Sequence, residues 1–302
     1  VFEKGVDLYY GKTNFHNRVK LNFDDRTGFD KAKLAAENSD IVIMVLGEEG
    51  NQSGEGRSRT NIGLPGLQLE LLKEIYKINQ NIVLVVMSGR PLDLTWADKN
   101  IPAIIQAWHL GSKSGEAIAE VLYGDYNPSG KLTMSFPRNV GQVPIYYNFK
   151  NTGRPSTSIE QVTNSGYADV VNSPLYSFGY GLSYTNFKYS NLSIDNDKLD
   201  YNSKINISID IENTGFYSGK EVVQLYLRDV VGSIARPMKE LKGFKIIELS
   251  PGESQTVNFE IESSLLEFYT FNNKWEAENG KFHAFIGSNS DVVDYKEFYL
   301  VD

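Results

Sequence analysis

The sequence predicts an α/β domain followed by an antiparallel β-sandwich, on the basis of three observations. Residues 1 to about 150 alternate continuous apolar runs with stretches of helical period, which is typical of a mostly parallel sheet covered on both faces. From residue 187 to residue 302 the apolar period switches to two, as in strands with one buried face. Residues 151–186 between them are polar and hold no period, which indicates a linker or a long ordered loop.

The composition limits the classes of function. A chain of 302 residues, 41% hydrophobic and 12% aromatic, has enough apolar surface for two packed cores. The net charge of -8, without a basic block, argues against nucleic-acid binding. The sequence contains no cysteine, which excludes disulfides and thiolate metal sites. No apolar run approaches the ~18 residues that a membrane span needs.

The elements of the α/β half follow one another in order. Helices are predicted in FDKAKLAAENSD, LPGLQLELLKEIYKIN and GEAIAEVLYGD, and strands in IVIMVL, NIVLVVM, AIIQ and KLTMSF. The run Ile41 to Leu46 holds six apolar residues without interruption. A strand with one face in water would alternate, so this run predicts a strand that is covered on both faces.

The C-terminal half alternates apolar and polar residues. In INISIDI, four isoleucines (Ile205, Ile207, Ile209 and Ile211) point to one side of a strand. QTVNFEI and KFHAFI repeat this pattern, with His283 on the polar side of its strand, and turn signals such as NTGFYSG and SPGES separate the strands. Short alternating strands at regular spacing predict an antiparallel sandwich of about 100 residues.

The densest cluster of charged and glycine residues is GEEGNQSGEGRSRTNIGLPG, residues 47–66, between a buried strand and a helix. Open α/β sheets place their ligands at such loops, and glycines let a backbone approach a ligand closely. The charged side chains of this loop are Glu48, Glu49, Glu55, Arg57 and Arg59. A carboxyl group here could donate a proton, and the arginines could hold hydroxyls or carboxylates.

Structural roles explain several of these residues equally well. Glu48 directly follows the strand and is expected to be a hydrogen-bond or salt-bridge partner, while Glu49 is expected to face solvent. Arg59 could anchor the loop on a carboxylate. The residues alone therefore leave open whether Glu55 is catalytic. His109, after the strand AIIQ, could contact a substrate or be structural, and the three histidines show no metal-ligand spacing.

Several motifs in a fixed order resemble the C-terminal portion of glycoside hydrolase family 3, especially the bacterial periplasmic-type β-glucosidases. These motifs are SGEGRSRTNIGLPG, VMSGRPLDLTW, AIIQAWHLGSKSGEAIAEVLYGDYNPSGKLTMSF, LYSFGYGLSYTNFKYS and ENTGFYSGKEVVQLYLRD. The resemblance covers the chain from about Ser39 to its end and identifies residues 187–302 as a fibronectin type III-like domain.

The resemblance implies a three-part retaining glycosidase. It places Glu55 on the family's acid/base glutamate, and Arg57, Ser58 and Arg59 on positions that bind substrate or support the loop. Asn61 stands where many relatives have Asp, which puts a salt bridge within the loop in doubt. No metal or other cofactor is implied.

The resemblance also implies what this chain lacks. The aspartate nucleophile lies on an N-terminal (β/α) barrel, in cis or on a separate chain, and no barrel-like series of eight βα units occurs here. The α/β domain at residues 1–150 is then incomplete at its start. We therefore expect no glucosidase activity from this chain alone, and exposed apolar surface where the missing parts would pack.

The implied substrate is a β-linked gluco-oligosaccharide or an aryl or alkyl glucoside. Two alternatives remain: a β-xylosidase or α-arabinosidase of the same family, and a non-catalytic carbohydrate-associated structural module. Enzymes of this kind suggest a periplasmic or secreted location, and a homodimer is compatible with the resemblance. The fibronectin-like domain is expected to act as a support.

Overall fold

A computed structural model describes residues 1–156 and 159–302. The proximity of backbone segments divides the chain into two units. Unit 1 comprises Val1–Ala119 and Phe136–Val143, and unit 2 comprises Glu120–Ser135 and Pro144–Asp302. The domain boundaries expected at 150 and 186 stay predictions.

Unit 1 is built on a parallel sheet of three strands in the order β1-β2-β3. The strands are β1 (Val42–Gly47), β2 (Ile82–Met87) and β3 (Ala103–Gln106). The helices are α1 (Phe29–Glu37), α2 (Gln68–Ile78) and α3 (Thr95–Asn100), and α4 (Ser114–Tyr123) continues from the first unit into the second. The alternation of strand and helix confirms the predicted α/β class.

Helix α2 buries one face against β1. Leu71, Leu72 and Ile75 recur at helical spacing and are almost inaccessible to solvent. At the start of the helix, the buried amide of Gln68 accepts a hydrogen bond from the Gly47 N–H at 2.7 Å and donates one to the Gly47 carbonyl at 2.8 Å. This side chain therefore pairs with the strand end as a neighbouring strand would, and it fixes α2 to the carboxyl end of β1.

Strand β1 differs from the sequence prediction on one face. Met44 and Leu46 are buried, but Ile43 is 48% exposed and Val45 is 55% exposed. The prediction that both faces of this strand are covered is therefore wrong for β1 as this chain presents it. The strand lies at the sheet edge, and α2 covers only one of its faces.

A second difference concerns KLTMSF, which was predicted as a further strand. The structure has no strand over residues 131–135. Leu132 instead exchanges two backbone hydrogen bonds with a nearby turn: its N–H donates to the Tyr180 carbonyl and its carbonyl accepts from the Gly179 N–H. The backbone hydrogen-bonding groups of Leu132 are thus paired with a loop and not with a neighbouring strand.

Unit 2 contains a sandwich of two antiparallel sheets. One sheet has the order β5-β13-β12-β7-β8 and the other β4-β6-β9, and a two-strand ribbon β10-β11 lies beside them. The strands are β4 (Phe187–Ile194), β5 (Lys198–Asp200), β6 (Lys204–Asn213), β7 (Gly219–Asp229), β8 (Glu240–Leu249), β9 (Ser254–Glu262), β10 (Phe268–Tyr269), β11 (Trp275–Glu276), β12 (Gly280–Gly287) and β13 (Lys296–Val301). One pairing, β5 with β13, is parallel.

The sandwich core confirms the predicted alternation. The four isoleucines of β6 are buried together with the alternate residues of β9, namely Val257, Phe259 and Ile261. Strand β12 departs from the pattern because His283 and Phe285 are buried as well as the core-facing Phe282, Ala284 and Ile286. His283 lies on the face opposite the core, as predicted, with Nε2 3.3 Å from Glu297 Oε2, and it is buried there because its ring stacks on Tyr295 with centroids 4.0 Å apart.

Among residues 1–156 and 159–302, no helix combines the length and the hydropathy needed to cross a bilayer. Within the same residues, no three His, Asp or Glu side chains come close enough together to hold a metal ion.

Candidate active site

Glu55 lies at the tip of a tight turn in unit 1, between β1 and α2. The turn is closed by a hydrogen bond from the Arg57 N–H to the Gly54 carbonyl, at 3.2 Å. Gly54 and Gly56, on either side of Glu55, have φ values of +105° and +68°, which favour glycine. The side chain of Glu55 is exposed, and among the described residues no hydrogen bond or ion pair involves it. Its carboxyl group is therefore free to meet a ligand.

Arg90, which follows β2, holds both limbs of this turn. Its Nη2 donates to the Gln52 carbonyl at 2.6 Å and to the Arg57 carbonyl at 2.9 Å. The guanidinium fork suits two acceptors on adjacent segments, because its donors have a fixed geometry. Residues 53–56 thus form a short arch over Arg90, with Glu55 near its top.

A buried carboxylate in turn holds Arg90. The side chain of Glu48 has no exposed surface, and its Oε1 lies 3.0 Å from Arg90 Nε and 2.6 Å from Arg59 Nη1. Glu48 Oε2 also accepts the Gly89 N–H at 3.2 Å. Because one buried anion satisfies two guanidinium groups and a backbone donor, the ends of β1 and β2 and the loop are joined in one network.

Arg57 connects the turn to an N-terminal arm. Its guanidinium donates to the Phe15 carbonyl and, at 3.4 Å, to the Asn17 carbonyl, and its carbon Cζ lies 5.9 Å from the Phe15 ring centroid. This arm is closed on itself by a bridge between Tyr9 and Leu21. Arg57 therefore ties the loop to a segment that precedes it by about 40 residues.

The remaining predicted residues have distinct environments. Arg59 is largely buried, pairs with Glu48, and donates from Nη2 to the Gly63 carbonyl at 3.0 Å. Ser58 is exposed between the two arginines. Asn61 closes a small turn by accepting the Gly63 N–H at 2.8 Å, so this side chain has a local backbone role.

Two side chains behave otherwise than the sequence indicated. Glu49 was expected to face solvent, but it is half-buried and caps the short 3-10 helix Gly50–Gln52, accepting from the Asn51 N–H at 2.8 Å. Arg90 was missed altogether. The sequence does show an arginine between a glycine and a proline shortly after a buried strand. This pattern points to a role at the turn only once β1 and β2 are known to be neighbours.

The close approach of the loop to the end of β2 depends on Gly89. A Cβ atom at this position would lie 1.8 Å from Ser53 Oγ and 3.3 Å from Cδ2 of His109. Ser53 therefore packs directly on the backbone of Gly89. His109, which the sequence offered as a possible substrate contact, is exposed beside these residues after β3.

The chemistry available here is that of a single exposed carboxyl group. An exposed carboxyl group on a glycine-flanked turn can give a proton to an oxygen that approaches it and can later take one from water. It cannot by itself perform displacement with retention, which requires a second carboxyl about 5–5.5 Å away. The network below the turn positions the backbone and leaves the carboxyl of Glu55 free.

Comparison with known families agrees with both parts of the fold. The Glycosyl hydrolase family 3 C-terminal domain matches residues 5–184, and the Fibronectin type III-like domain matches residues 221–290. Both matches are to domains found in the glycoside hydrolase class of proteins. The chain belongs to glycoside hydrolase family 3.

The relatives include enzymes with two named activities. The chain is 45% identical over 273 residues to a periplasmic β-glucosidase of Salmonella typhimurium, and 39% identical over 293 residues to a β-xylosidase of Formosa agariphila. These alignments cover 90% and 96% of this chain. A crystal structure of the β-glucosidase of Listeria innocua in complex with glucose superposes with a TM-score of 0.87 at 36% identity, over 94% of this chain.

The chain spans well under half the length of these relatives. It covers 36% of the Salmonella enzyme, 39% of the Formosa enzyme and 40% of the Listeria chain. The activities in the names of those proteins therefore belong to longer chains than this one.

Proposed function

We propose that this chain supplies the acid/base carboxyl group of a retaining β-glucosidase, and that Glu55 carries it. The observation that supports the proposal is the exposure of Glu55 at the top of a turn whose two limbs are both held by Arg90. Such an arrangement fixes where the carboxyl can reach and leaves its oxygens unoccupied. The nucleophile, in this proposal, is an aspartate on a barrel domain outside the chain.

The reaction then runs in two steps. The nucleophile attacks the anomeric carbon while the carboxylic acid of Glu55 gives its proton to the glycosidic oxygen, so the alcohol leaves neutral. In the second step the Glu55 carboxylate takes a proton from water, whose oxygen displaces the enzyme carboxylate from the sugar. Both steps need the same group at the same oxygen position, which is why a well-anchored turn is useful.

The supporting residues divide by their contacts. Arg59 and Arg57 act on the loop, the first through Glu48 and the second through the N-terminal arm. Ser58 is exposed and remains available to a hydroxyl of the substrate. Because the nucleophile is supplied elsewhere, the chain alone has no glucosidase activity in this proposal.

Glucosides and xylosides are the two candidate substrates of the complete enzyme. Glucosides are favoured by the Salmonella and Listeria relatives, and xylosides by the Formosa relative. A panel of nitrophenyl β-glucoside, β-xyloside and α-arabinoside separates the candidates by kcat/KM. The name of the Salmonella relative also supports a periplasmic or secreted location.

The decisive experiment uses a chimera in which this chain replaces the matching segment of the Salmonella enzyme. We expect Glu55→Gln to lower kcat/KM on p-nitrophenyl β-glucoside by about 10²–10⁴-fold, the usual contribution of general acid–base catalysis. Azide should restore part of the rate and yield β-glucosyl azide, because azide needs no general base. The matched control is Glu116→Gln, an exposed carboxylate of α4 that pairs with Lys113.

Two outcomes contradict the proposal. If Glu55→Gln retains the activity of the parent chimera, Glu55 is not the acid/base group. If Glu116→Gln loses as much activity as Glu55→Gln, the loss reflects general damage. A dinitrophenyl glucoside adds a further check, since its good leaving group needs little protonation and should hide most of the effect on the first step.

A further inference from the structure

His109 lies shortly after β3, at the same edge of the sheet as the turn that carries Glu55. Strands β1, β2 and β3 are parallel neighbours, so their carboxyl ends share this edge, where open α/β sheets place their ligands. The turn follows β1, Gly89 and Arg90 follow β2, and His109 follows β3. The reaction proposed above uses the turn and its support by Arg90, and it leaves His109 without a role.

The side chains of His109 and Ser53 meet over Gly89. A Cβ atom on Gly89 would lie 3.3 Å from His109 Cδ2 and 1.8 Å from Ser53 Oγ. Because both distances are measured to the same point, the two side-chain atoms lie no farther apart than the sum of these distances. Ser53 is the first residue of the arch, and Glu55 follows it by two residues. The imidazole of His109 therefore flanks the base of the arch that presents the carboxyl group.

The backbone directly before His109 has an unusual conformation. Trp108 has φ +52°, a value that is uncommon for a residue other than glycine and especially so for a bulky one. Its ring packs on the buried ring of Phe136, with centroids 5.9 Å apart, whereas His109 is exposed. A left-handed residue thus separates a ring packed on the interior of unit 1 from a ring that faces solvent. Conformations of this kind cluster at active sites and ligand-binding sites.

The ring nitrogens of His109 are free to bind a ligand. Among the residues that the structure describes, neither nitrogen takes part in a hydrogen bond or an ion pair. The ring of His283, by contrast, stacks on Tyr295 and lies 3.3 Å from Glu297. A neutral imidazole has one donor and one acceptor, and a hydroxyl group also has both. An alcohol hydroxyl is therefore a suitable partner for either nitrogen of His109.

The stereochemistry of the proposed reaction determines which part of a substrate this ring meets. In a displacement with retention, the nucleophile attacks the anomeric carbon from the face opposite the leaving oxygen, and the acid gives its proton to that oxygen. The leaving group therefore lies on the side of the acid. Because His109 flanks the arch that carries Glu55, its ring is on the side of the leaving group and not on the side of the nucleophile.

We propose that His109 is a specificity-determining contact that hydrogen-bonds a hydroxyl of the leaving group. The inference rests on the role proposed for Glu55, and it adds a preference that proton transfer alone does not give. A leaving group that is itself a sugar or another polyol can bind His109 through a hydroxyl. A leaving group whose only oxygen is the glycosidic one cannot make this bond.

The test uses the chimera with the Salmonella enzyme and two β-glucosides, cellobiose and phenyl β-glucoside. The leaving group of cellobiose is a sugar, whereas phenol has no hydroxyl apart from the glycosidic oxygen. For each variant we compare the ratio of kcat/KM on cellobiose to kcat/KM on phenyl β-glucoside. His109→Ala should lower this ratio about five- to tenfold relative to the parent chimera, the usual effect of losing one neutral hydrogen bond.

Two further variants separate hydrogen bonding from damage to the loop. His109→Gln keeps a donor and an acceptor in an uncharged side chain, so it should retain more of the preference for cellobiose than His109→Ala does. Leu110→Ala is the matched control, because Leu110 is the next residue, is 43% exposed and has no polar side-chain atom. This variant should leave the ratio unchanged.

Two results would overturn the inference about His109 alone. One is a ratio in His109→Ala equal to that of the parent chimera, and the other is the same fall in the ratio in Leu110→Ala. Both apply when Glu55→Gln has lost activity on the two substrates as expected. If Glu55→Gln instead keeps full activity, the role proposed for Glu55 fails, and the inference about His109 fails with it.

Discussion

The carboxylate of Glu48 lies 3.0 Å from Nε of Arg90, and the side chain of Glu48 is entirely buried. These residues follow neighbouring parallel strands, so the sheet itself sets their separation. Arg90 extends from this pair to two carbonyls of the turn that carries Glu55. The ion pair thus connects the turn to the ends of two sheet strands.

Replacing Glu48 should destabilise unit 1. Glu48→Gln keeps the shape but leaves two largely buried guanidinium groups without their counter-charge, and removing one partner of a buried pair costs about 3–5 kcal/mol. Urea unfolding followed by the fluorescence of Trp96 and Trp108, in a Trp275→Phe background, reports on this unit. Glu116→Gln, in an exposed pair, should change the free energy of unfolding by less than about 1 kcal/mol. Equal losses in the two variants would contradict the role of Glu48.

Arg90→Lys should loosen the turn more than it destabilises the sheet. A lysine has one ammonium group and cannot reach Glu48 and both carbonyls with fixed geometry. We expect faster hydrogen exchange at residues 53–58 with little change in the exchange of β2. Arg26→Lys is the control, because Arg26 forms an exposed pair with Glu70. Unchanged exchange at the turn would show that Arg90 does not hold it.

Gly89→Ala should displace the turn through Ser53. The new methyl group would stand 1.8 Å from Ser53 Oγ and 2.6 Å from its Cβ, so the serine must move. Adding Ser53→Gly should restore much of the original position, which amide chemical shifts at residues 53–57 would report. Gly111→Ala meets no atom within 4 Å and serves as the control. A turn that is unmoved in Gly89→Ala would contradict the close packing.

His283 should make unit 2 less stable in acid. Burial lowers the pKa of this imidazole, and the neighbouring Arg228 and Lys281 add to the effect, while Glu297 opposes it. Below the ordinary histidine pKa of about 6.5, this imidazole therefore binds a proton more readily in the unfolded chain than in the folded one. As a result, the free energy of unfolding falls as the pH drops through that value.

Urea unfolding at pH 7.5 and pH 5.5 measures this dependence. His283→Gln cannot titrate, so the difference in stability between the two pH values should be smaller than in the parent chain. His16→Gln, at an exposed position, should leave the difference unchanged. A pH dependence that is the same with and without His283 would rule out its contribution.

Ile207→Ala should destabilise the sandwich strongly. Ile207 is fully buried in the core, and its truncation leaves a cavity that the two sheets cannot close, at a cost of about 2–5 kcal/mol. Ile246, on β8, is 61% exposed, and Ile246→Ala should cost far less. Urea unfolding followed by circular dichroism compares the two. Similar losses of unfolding free energy in the two variants would mean that β6 does not lie at the centre of the core.

Much of the fold could be predicted because local patterns determine it. The period of two along β6 and the helical spacing of Leu71, Leu72 and Ile75 each follow from a few consecutive residues. The prediction failed where the exposure of a residue depends on which other segment packs against it. The apolar run of β1 gives no sign that Ile43 and Val45 are exposed, since exposure depends on what packs against the strand.

The site shows the same division. The resemblance to the family indicated Glu55, and the position of Glu48 after a strand indicated a salt-bridge partner, which the structure contains. Arg90 lies 42 residues from Glu48 in sequence. Only the parallel register of β1 and β2 brings these two residues together, so no local pattern could identify Arg90 as the support of the turn.

The anchors of the turn limit how far its tip can travel. Arg90 holds the carbonyls of Gln52 and Arg57, and residues 53–56 lie between these two anchors. Five residue steps join the two anchored carbonyls and span about 17 Å when fully extended, so with both ends fixed the arch can rise only about 9 Å, half its contour length, above them. The backbone excursion of Glu55 is therefore limited to that height, and in the function proposed above a glycosidic bond must be delivered to this carboxyl within that height plus the length of one glutamate side chain.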